Sequence, residues 1–300
     1  MEATPAVIEG AEKISVKPAI DWRLIVSSPA FIPVLLCVTG ITLVFWPLLS
    51  GLPGLWLGQD GYYSHGFLVP IISGYVLYRW WPRLKDTPVK PSLLALIPLI
   101  CVLWVSKGAS VAGIDVLLSL CLILTILLST AFVAGWKWMW ATSLPVMYLA
   151  FGLPRLWTIV IDTYTNPLQL ISTKVSFKML QLLGFEPYRD QASTTINMPN
   201  FNLDVGVPCS GLKLILALSA FTVFFMLIAR LKWWGNVLMV AMILPLCIFI
   251  NSLRITLIGI VGENYGSAAG HQFHDYSGYI TLLLCFFILF KIARWLGWKD

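Results

Sequence analysis

The 300-residue chain is 58% hydrophobic and 11% charged, with a formal net charge of +6. Average globular chains are roughly 25% charged, and no soluble fold of this length could hide so much apolar surface, which excludes soluble, disordered, nucleic-acid-binding and disulfide-scaffold classes. What remains is an integral membrane protein, in which the excess of Lys and Arg reports topology because loops rich in them stay cytoplasmic.

Residues 1–29 are polar, contain Pro5, Pro18 and Pro29, and lack a signal-peptide core with a cleavage site. They read as a short cytoplasmic tail ahead of a transmembrane domain over 30–300. A span needs about 20 apolar residues to cross roughly 30 Å of hydrocarbon. Segments 30–50, 65–82, 91–107, 110–129 and 138–153 come first, then 209–229, 235–260 and 276–296. No internal repeat is evident, so the inverted-repeat signature of many transporters is missing. With the N-terminus inside, 13 of the 20 basic residues fall in cytoplasmic segments and 5 outside, while Lys213 and Arg254 lie within spans. An even number of spans returns the basic C-terminus to the same side.

The one sizeable extramembrane piece is the outer loop 154–208. Its first half places Leu156, Ile159, Val160, Tyr164, Leu168, Ile171, Val175 and Leu182 mostly three or four residues apart. This predicts an amphipathic helix on the membrane, interrupted at Asn166-Pro167. The second half alternates apolar Ile196 and Met198 with polar Thr195 and Asn197, turns at Pro199-Asn200, and alternates again from Phe201 to Val205. That is a hairpin delivering the chain to Pro208-Cys209. The fold expected is an all-α polytopic membrane protein with about eight transmembrane helices, a short outer-face amphipathic helix and a β-hairpin before helix six.

Ionisable groups in spans are costly and are functional candidates by default. Five of the six cysteines lie in apolar runs without paired spacing; Cys209 instead opens span six in Val207-Pro208-Cys209-Ser210-Gly211-Leu212-Lys213. Arg254 lies in Asn251-Ser252-Leu253-Arg254-Ile255 of span seven, and His271 and His274 precede span eight. Counting about 20 helical residues from the inner anchors Arg230, Trp234 and Arg294 lands at Ser210, Arg254 and His274, so all three groups share one level at the outer interface.

The chemistry suits that meeting. A thiol attacks as thiolate, and a helix N-terminus with a nearby cation lowers its pKa; Lys213, four residues on, lies one turn below on the same face. A histidine can take the thiol proton and later protonate a leaving amine. An arginine fork can stabilise an oxyanion or grip a carboxylate. Competing readings stand beside these. Cysteine is common in apolar helices, Arg254 could be a snorkelling anchor, and His271 and His274 have the spacing of half a metal site but no Glu or thiolate companion. Polar residues gathered at one face rather than at the midplane argue against a transporter or channel. A non-enzymatic export scaffold would tolerate loss of Cys209.

Four segments together resemble the exosortase/archaeosortase family: Tyr63-Ser64-His65-Gly66, Pro208-Cys209-Ser210-Gly211-Leu212, Asn251-Ser252-Leu253-Arg254-Ile255, and His274 with Gly278 four residues on. The resemblance runs from about residue 30 to the end, in the same order. It implies a plasma (inner) membrane cysteine transpeptidase, needing no cofactor or metal and binding no nucleic acid. Its partners would be membrane lipid and the C-terminal sorting signals of exported proteins: a Pro-Glu-Pro-like motif, a transmembrane helix and a basic tail. By the resemblance Cys209 is the nucleophile, Arg254 stabilises developing negative charge and His274 is the acid/base, with His271 its rival. Tyr63, His65, Lys213, Asn251 and His271 would line the substrate cleft. The histidine at 274 favours the bacterial branch. The acceptor of the cleaved product is left open, and so is a protease that only hydrolyses.

Overall fold

The computed structural model describes residues 31–58, 63–190, 193–206 and 209–298. The expected N-terminal tail and Pro208 lie outside them. Helices α1 (Phe31–Val44) and α2 (Trp46–Leu57) meet at 71°. Then come α3 (Leu68–Leu84), α4 (Leu96–Ala112), α5 (Asp115–Ala134), α6 (Trp136–Tyr148) and α7 (Thr158–Leu182). The hairpin β1 (Thr195–Asn197) and β2 (Asn202–Asp204) leads to α8 (Leu212–Ala229), α9 (Trp233–Tyr265) and α10 (Ser267–Trp295).

Against the expected eight spans, five helices among the described residues are long and apolar enough to cross a bilayer, or seven if each of two bent pairs counts as one. Helix α3, 17 residues long, carries Arg79 and Arg83 in its second half and is not among them. The second bent pair turns by 80° where α6 gives way to Pro154–Leu182. Arg155 at that turn pairs with Asp115 at the start of α5, 3.2 Å apart.

Apolar side chains hold the bundle in two blocks. Leu218, Phe225, Met239, Ile250, Cys285 and Leu289 pack α8, α9 and α10 together, while Phe45, Leu48, Leu118 and Leu122 centre the block of α1, α2 and α5. Helix α3 joins them: Ser73 Oγ donates to the Pro145 carbonyl of α6 (2.8 Å), and the Trp80 indole donates to Leu227 of α8 (3.3 Å).

Helix α9 sets the site's position. Its 33 residues measure about 50 Å at 1.5 Å each, against about 30 Å of hydrocarbon. It is therefore longer than a bilayer's hydrocarbon is thick, and a third core gathers along its last third. Ile196 and Leu203, directly paired across the antiparallel hairpin, point inward with Met198, Phe201 and Val205 onto Ile255 and Ile258 of α9 and Leu180 of α7. Alternation predicted that inward face, and the turn at Pro199-Asn200 is where the sequence put it. Glu263 clamps the turn by accepting from the Asn200 backbone and side-chain amides (2.9–3.2 Å). Phe201 lies so close to Gly262 and Gly270 that a Cβ on Gly262 would overlap its ring.

The expected helix before the hairpin needs one correction. Helix α7 runs unbroken for 25 residues through Asn166-Pro167; Pro167 and Thr163, whose carbonyl it leaves unbonded, are both exposed, so no packed neighbour is disturbed. The face packed on protein is largely polar, and most of the apolar stripe points away from it, the side an amphipathic helix turns to lipid. Gln169, Ser172, Thr173 and Ser176 are buried with Leu168 and Leu180, while Ile159, Tyr164, Ile171 and Leu182 are exposed. Small serines four residues apart let α7 approach α9 closely: Ser176 Oγ donates to the Ser252 carbonyl at 3.0 Å and Ser252 Oγ to the Ser172 carbonyl at 3.4 Å.

Candidate functional site

Cys209 sits in the short turn between the hairpin and α8, and its sulfur belongs to the hairpin core. Three groups fix its backbone. The Cys209 N–H donates to the Gly206 carbonyl (2.9 Å), and Asn251 Nδ2 of α9 donates to the Cys209 carbonyl (2.7 Å) and to Ser172 Oγ (3.1 Å). Gln169 of α7 donates to the Val205 carbonyl (3.0 Å), tying down the incoming strand. Gly211 then caps α8 at φ 81°, with the Asn251 side chain pressed where its Cβ would be. The left-handed angle and the close approach both call for glycine.

The thiol meets a histidine. Cys209 Sγ lies 2.9 Å from His274 Nε2 of α10. The other ring nitrogen, Nδ1, is 3.2 Å from Oδ1 of Asp275. Arg254 reaches the same place from α9: its Nε donates to Ser277 Oγ (3.0 Å) and an Nη to the His274 carbonyl (3.1 Å). Ser277 Oγ in turn donates to that carbonyl (3.1 Å). Gly278 lies against the guanidinium, and a Cβ there would still be in ordinary contact.

The sequence expectation of a thiol activated by Lys213 is corrected. Cys209 precedes α8 by three residues instead of sharing its face, and the Lys213 ammonium stands over the Tyr279 ring, 5.7 Å from its centre. The cation acting on the thiol is Arg254. Burial pushes the Cys209 thiol up, the Arg254 guanidinium pulls it down, and Asp204 at the end of β2 adds to the rise; the result is upward. The resting pair is thus a thiol facing an imidazole.

Of the other expected site residues, Lys213 and Asn251 join Arg254, Gly278 and Thr281 around a small cavity of about 30 Å³ between α8, α9 and α10. Asn251 spends both donor contacts on the protein, which makes it a support for Cys209 as well as a wall of that cavity. Among the described residues neither Lys213 nor Arg254 has a carboxylate partner. His271 is exposed and turns edge-on to Phe201, 6.2 Å between ring centres. Tyr63 donates its hydroxyl to the Pro154 carbonyl (2.9 Å). His65 is buried, its Nδ1 unpartnered; burial first, and Lys213 second, lower its pKa to about 4.

Three contributors escaped the sequence reading: Ser277, Ser172 and Asp275. Ser277 was findable, because three residues past His274 it must share that helical face. Ser172 and Asp275 carried no such signal. Among the described residues no group of three or more His, Cys, Asp or Glu side chains is disposed to hold a metal ion.

A family model described as transmembrane exosortase matches residues 56–291, which include Cys209, Arg254 and His274. No curated protein and no solved structure matches the chain.

Proposed function

This chain belongs to the transmembrane exosortase family and is a multi-pass membrane protein, and from that premise we propose that it is a cysteine transpeptidase acting on the C-terminal sorting signals of exported proteins. One observation carries the reading: the sulfur of Cys209 faces an imidazole nitrogen at 2.9 Å, in reach of the Arg254 guanidinium's field. That is the contact a nucleophile and its base require.

The chemistry then runs in two halves. His274 Nε2 takes the thiol proton as Cys209 Sγ bonds to the scissile carbonyl carbon, and Arg254 offsets the charge gathering on the carbonyl oxygen. Collapse breaks the C–N bond, and the imidazolium returns its proton to the departing amine. An amine, a hydroxyl or water then attacks the thioester, giving its proton to His274, and the displaced thiolate recovers it. An upward-shifted thiol suits this concerted transfer better than a standing thiolate would.

The cavity beside Arg254 supports the substrate assignment. Two cations without carboxylate partners among the described residues line this water-sized hollow, and their positive field would favour an acidic residue of a Pro-Glu-Pro-like motif arriving at its mouth. The substrate's helix would dock laterally against α8–α10. In this reading α3 is a further span, making eight with the two bent pairs, both termini are cytoplasmic and the hairpin end faces outward across the plasma (inner) membrane.

Co-expression with a tripartite candidate substrate tests the proposal by mass spectrometry of its mature C-terminus. Wild type should yield the shortened product, carrying an acceptor mass if transfer occurs and only water if the enzyme merely hydrolyses. Cys209→Ala should leave the precursor whole, and Arg254→Lys, which keeps charge but loses the planar fork, should cut processing at least roughly tenfold. Normal processing by Cys209→Ala rejects the reading.

A further inference from the structure

The ring of His274 is held from both sides. Nε2 faces Cys209 Sγ at 2.9 Å while Nδ1 faces the Asp275 carboxylate at 3.2 Å. Neighbours one apart on a helix normally point about a quarter-turn away from each other. A direct side-chain contact between residues 274 and 275 therefore requires both to swing into the gap between their directions. The contact matters because of what it does to the proton. A carboxylate only accepts, so it calls for a hydrogen on Nδ1, which leaves Nε2 with its lone pair toward the thiol.

We infer that Asp275 is a positioning residue, fixing His274 in the tautomer that can accept the Cys209 proton and stabilising the imidazolium formed when it does. The inference rests on the cysteine–histidine reading above, and it concerns a residue that meets the ring nitrogen opposite the one facing the sulfur. Among the described residues, the other charged or titratable groups near the ring are engaged elsewhere. Arg254 of α9 bonds the His274 carbonyl and not the ring, Asp204 of β2 bears on Cys209, and His271 lies against Phe201. The Asp275 side chain is 76% exposed, so solvent screens its charge. Its effect is accordingly smaller than that of a buried triad carboxylate.

The test compares wild type with Asp275→Asn, Asp275→Ala and Asp275→Glu, all in detergent, by two readouts. The first needs no substrate: the rate of Cys209 alkylation by iodoacetamide against pH, followed on the Cys209 peptide by mass spectrometry. The second is the pH profile of substrate processing. Asn can still accept from Nδ1–H but lacks the charge, so Asp275→Asn should slow both reactions about threefold and move the acid limb of each profile to lower pH. Asp275→Ala loses tautomer control too and should slow both about tenfold, a fraction of the roughly 10²–10⁴ that a base supplies. KM should hold, and Asp275→Glu should recover most of the rate. Wild-type rates and unmoved limbs in both Asn and Ala variants overturn the inference. A loss of rate with no shift of the limb and no recovery in Glu also overturns it, because a merely structural role behaves that way. If wild type cuts no substrate, the functional proposal suffers, while the alkylation profiles still decide the role of Asp275.

Discussion

Replacing Asn251 with Ala separates the position of Cys209 from its chemistry. Asn251 is buried, and its Nδ2 is the side-chain donor to the Cys209 carbonyl (2.7 Å), with Ser172 Oγ as its second acceptor (3.1 Å). The serine hydroxyl can rotate to another partner; the carbonyl is fixed by its backbone. One buried acceptor left unpaired costs about 1–3 kcal/mol. With the void left by the side chain the loss should total about 2–4 kcal/mol. That corresponds to an apparent melting temperature lower by about 4–12 °C in detergent. The larger effect should be on rate. The turn from Cys209 to Gly211 packs on this side chain, and a displacement near 1 Å at a reacting atom costs about a hundredfold. Processing and Cys209 alkylation should both fall by that order at a temperature where the variant is folded. Ser172→Ala leaves the Cys209 bond intact and should process within a few-fold of wild type. If Asn251→Ala processes and alkylates as wild type does, the claim that this amide positions the sulfur is wrong.

Two further outcomes are expected. His65 is held neutral in the fold, with a pKa of about 4 against 6.5 when unfolded. Between those values the unfolded chain binds the extra proton, so stability is present above pH 6.5 and is lost as pH falls toward 4. From pH 7 to 5 this amounts to at most about 2 kcal/mol, and His65→Gln should show a shallower fall in melting temperature over that range; an equal slope excludes His65 as a cause. Phe201→Ala should cost about 3–5 kcal/mol, as truncation of a buried aromatic does. It should also slow processing more than its distance from the sulfur suggests, because Phe201 wedges the hairpin against Gly262 of α9 and Gly270 of α10; a stable variant with full activity contradicts that coupling.

How much of this was legible in the sequence follows from what a residue count can measure. Helical rise converts distance along the chain into depth. Arg254 and His274 each lie about 20 residues from a basic or aromatic anchor at the other end, which put them on one level with Cys209. The hairpin was legible because its alternation is local and its turn residues are particular. Azimuth was not. Nothing in the order of residues says that Gln169, Ser172, Thr173 and Ser176 would be the face that α7 packs on protein. Its small polar side chains find partners on α9 that the apolar stripe could not supply. For the same reason Lys213, placed beside the thiol by a one-dimensional count, lies over Tyr279 instead.

The division between depth and azimuth also says how the site is built. Three helices that carry these groups at one level would leave a sulfur, a guanidinium and an imidazole near each other, with no fixed contact. The fixed contact comes from the core beside them, where the hairpin packs on the last third of α9 and sets Cys209 down among Ile255, Ile258 and Val205. The same packing desolvates the thiol and raises its pKa, so burial that assembles the pair also makes His274 necessary as a base. A site of this design cannot be loosened at the hairpin without losing both geometry and proton transfer. Damage at Asn251 or Phe201 should therefore register first in the reactivity of Cys209, and only second in whether the membrane bundle stands.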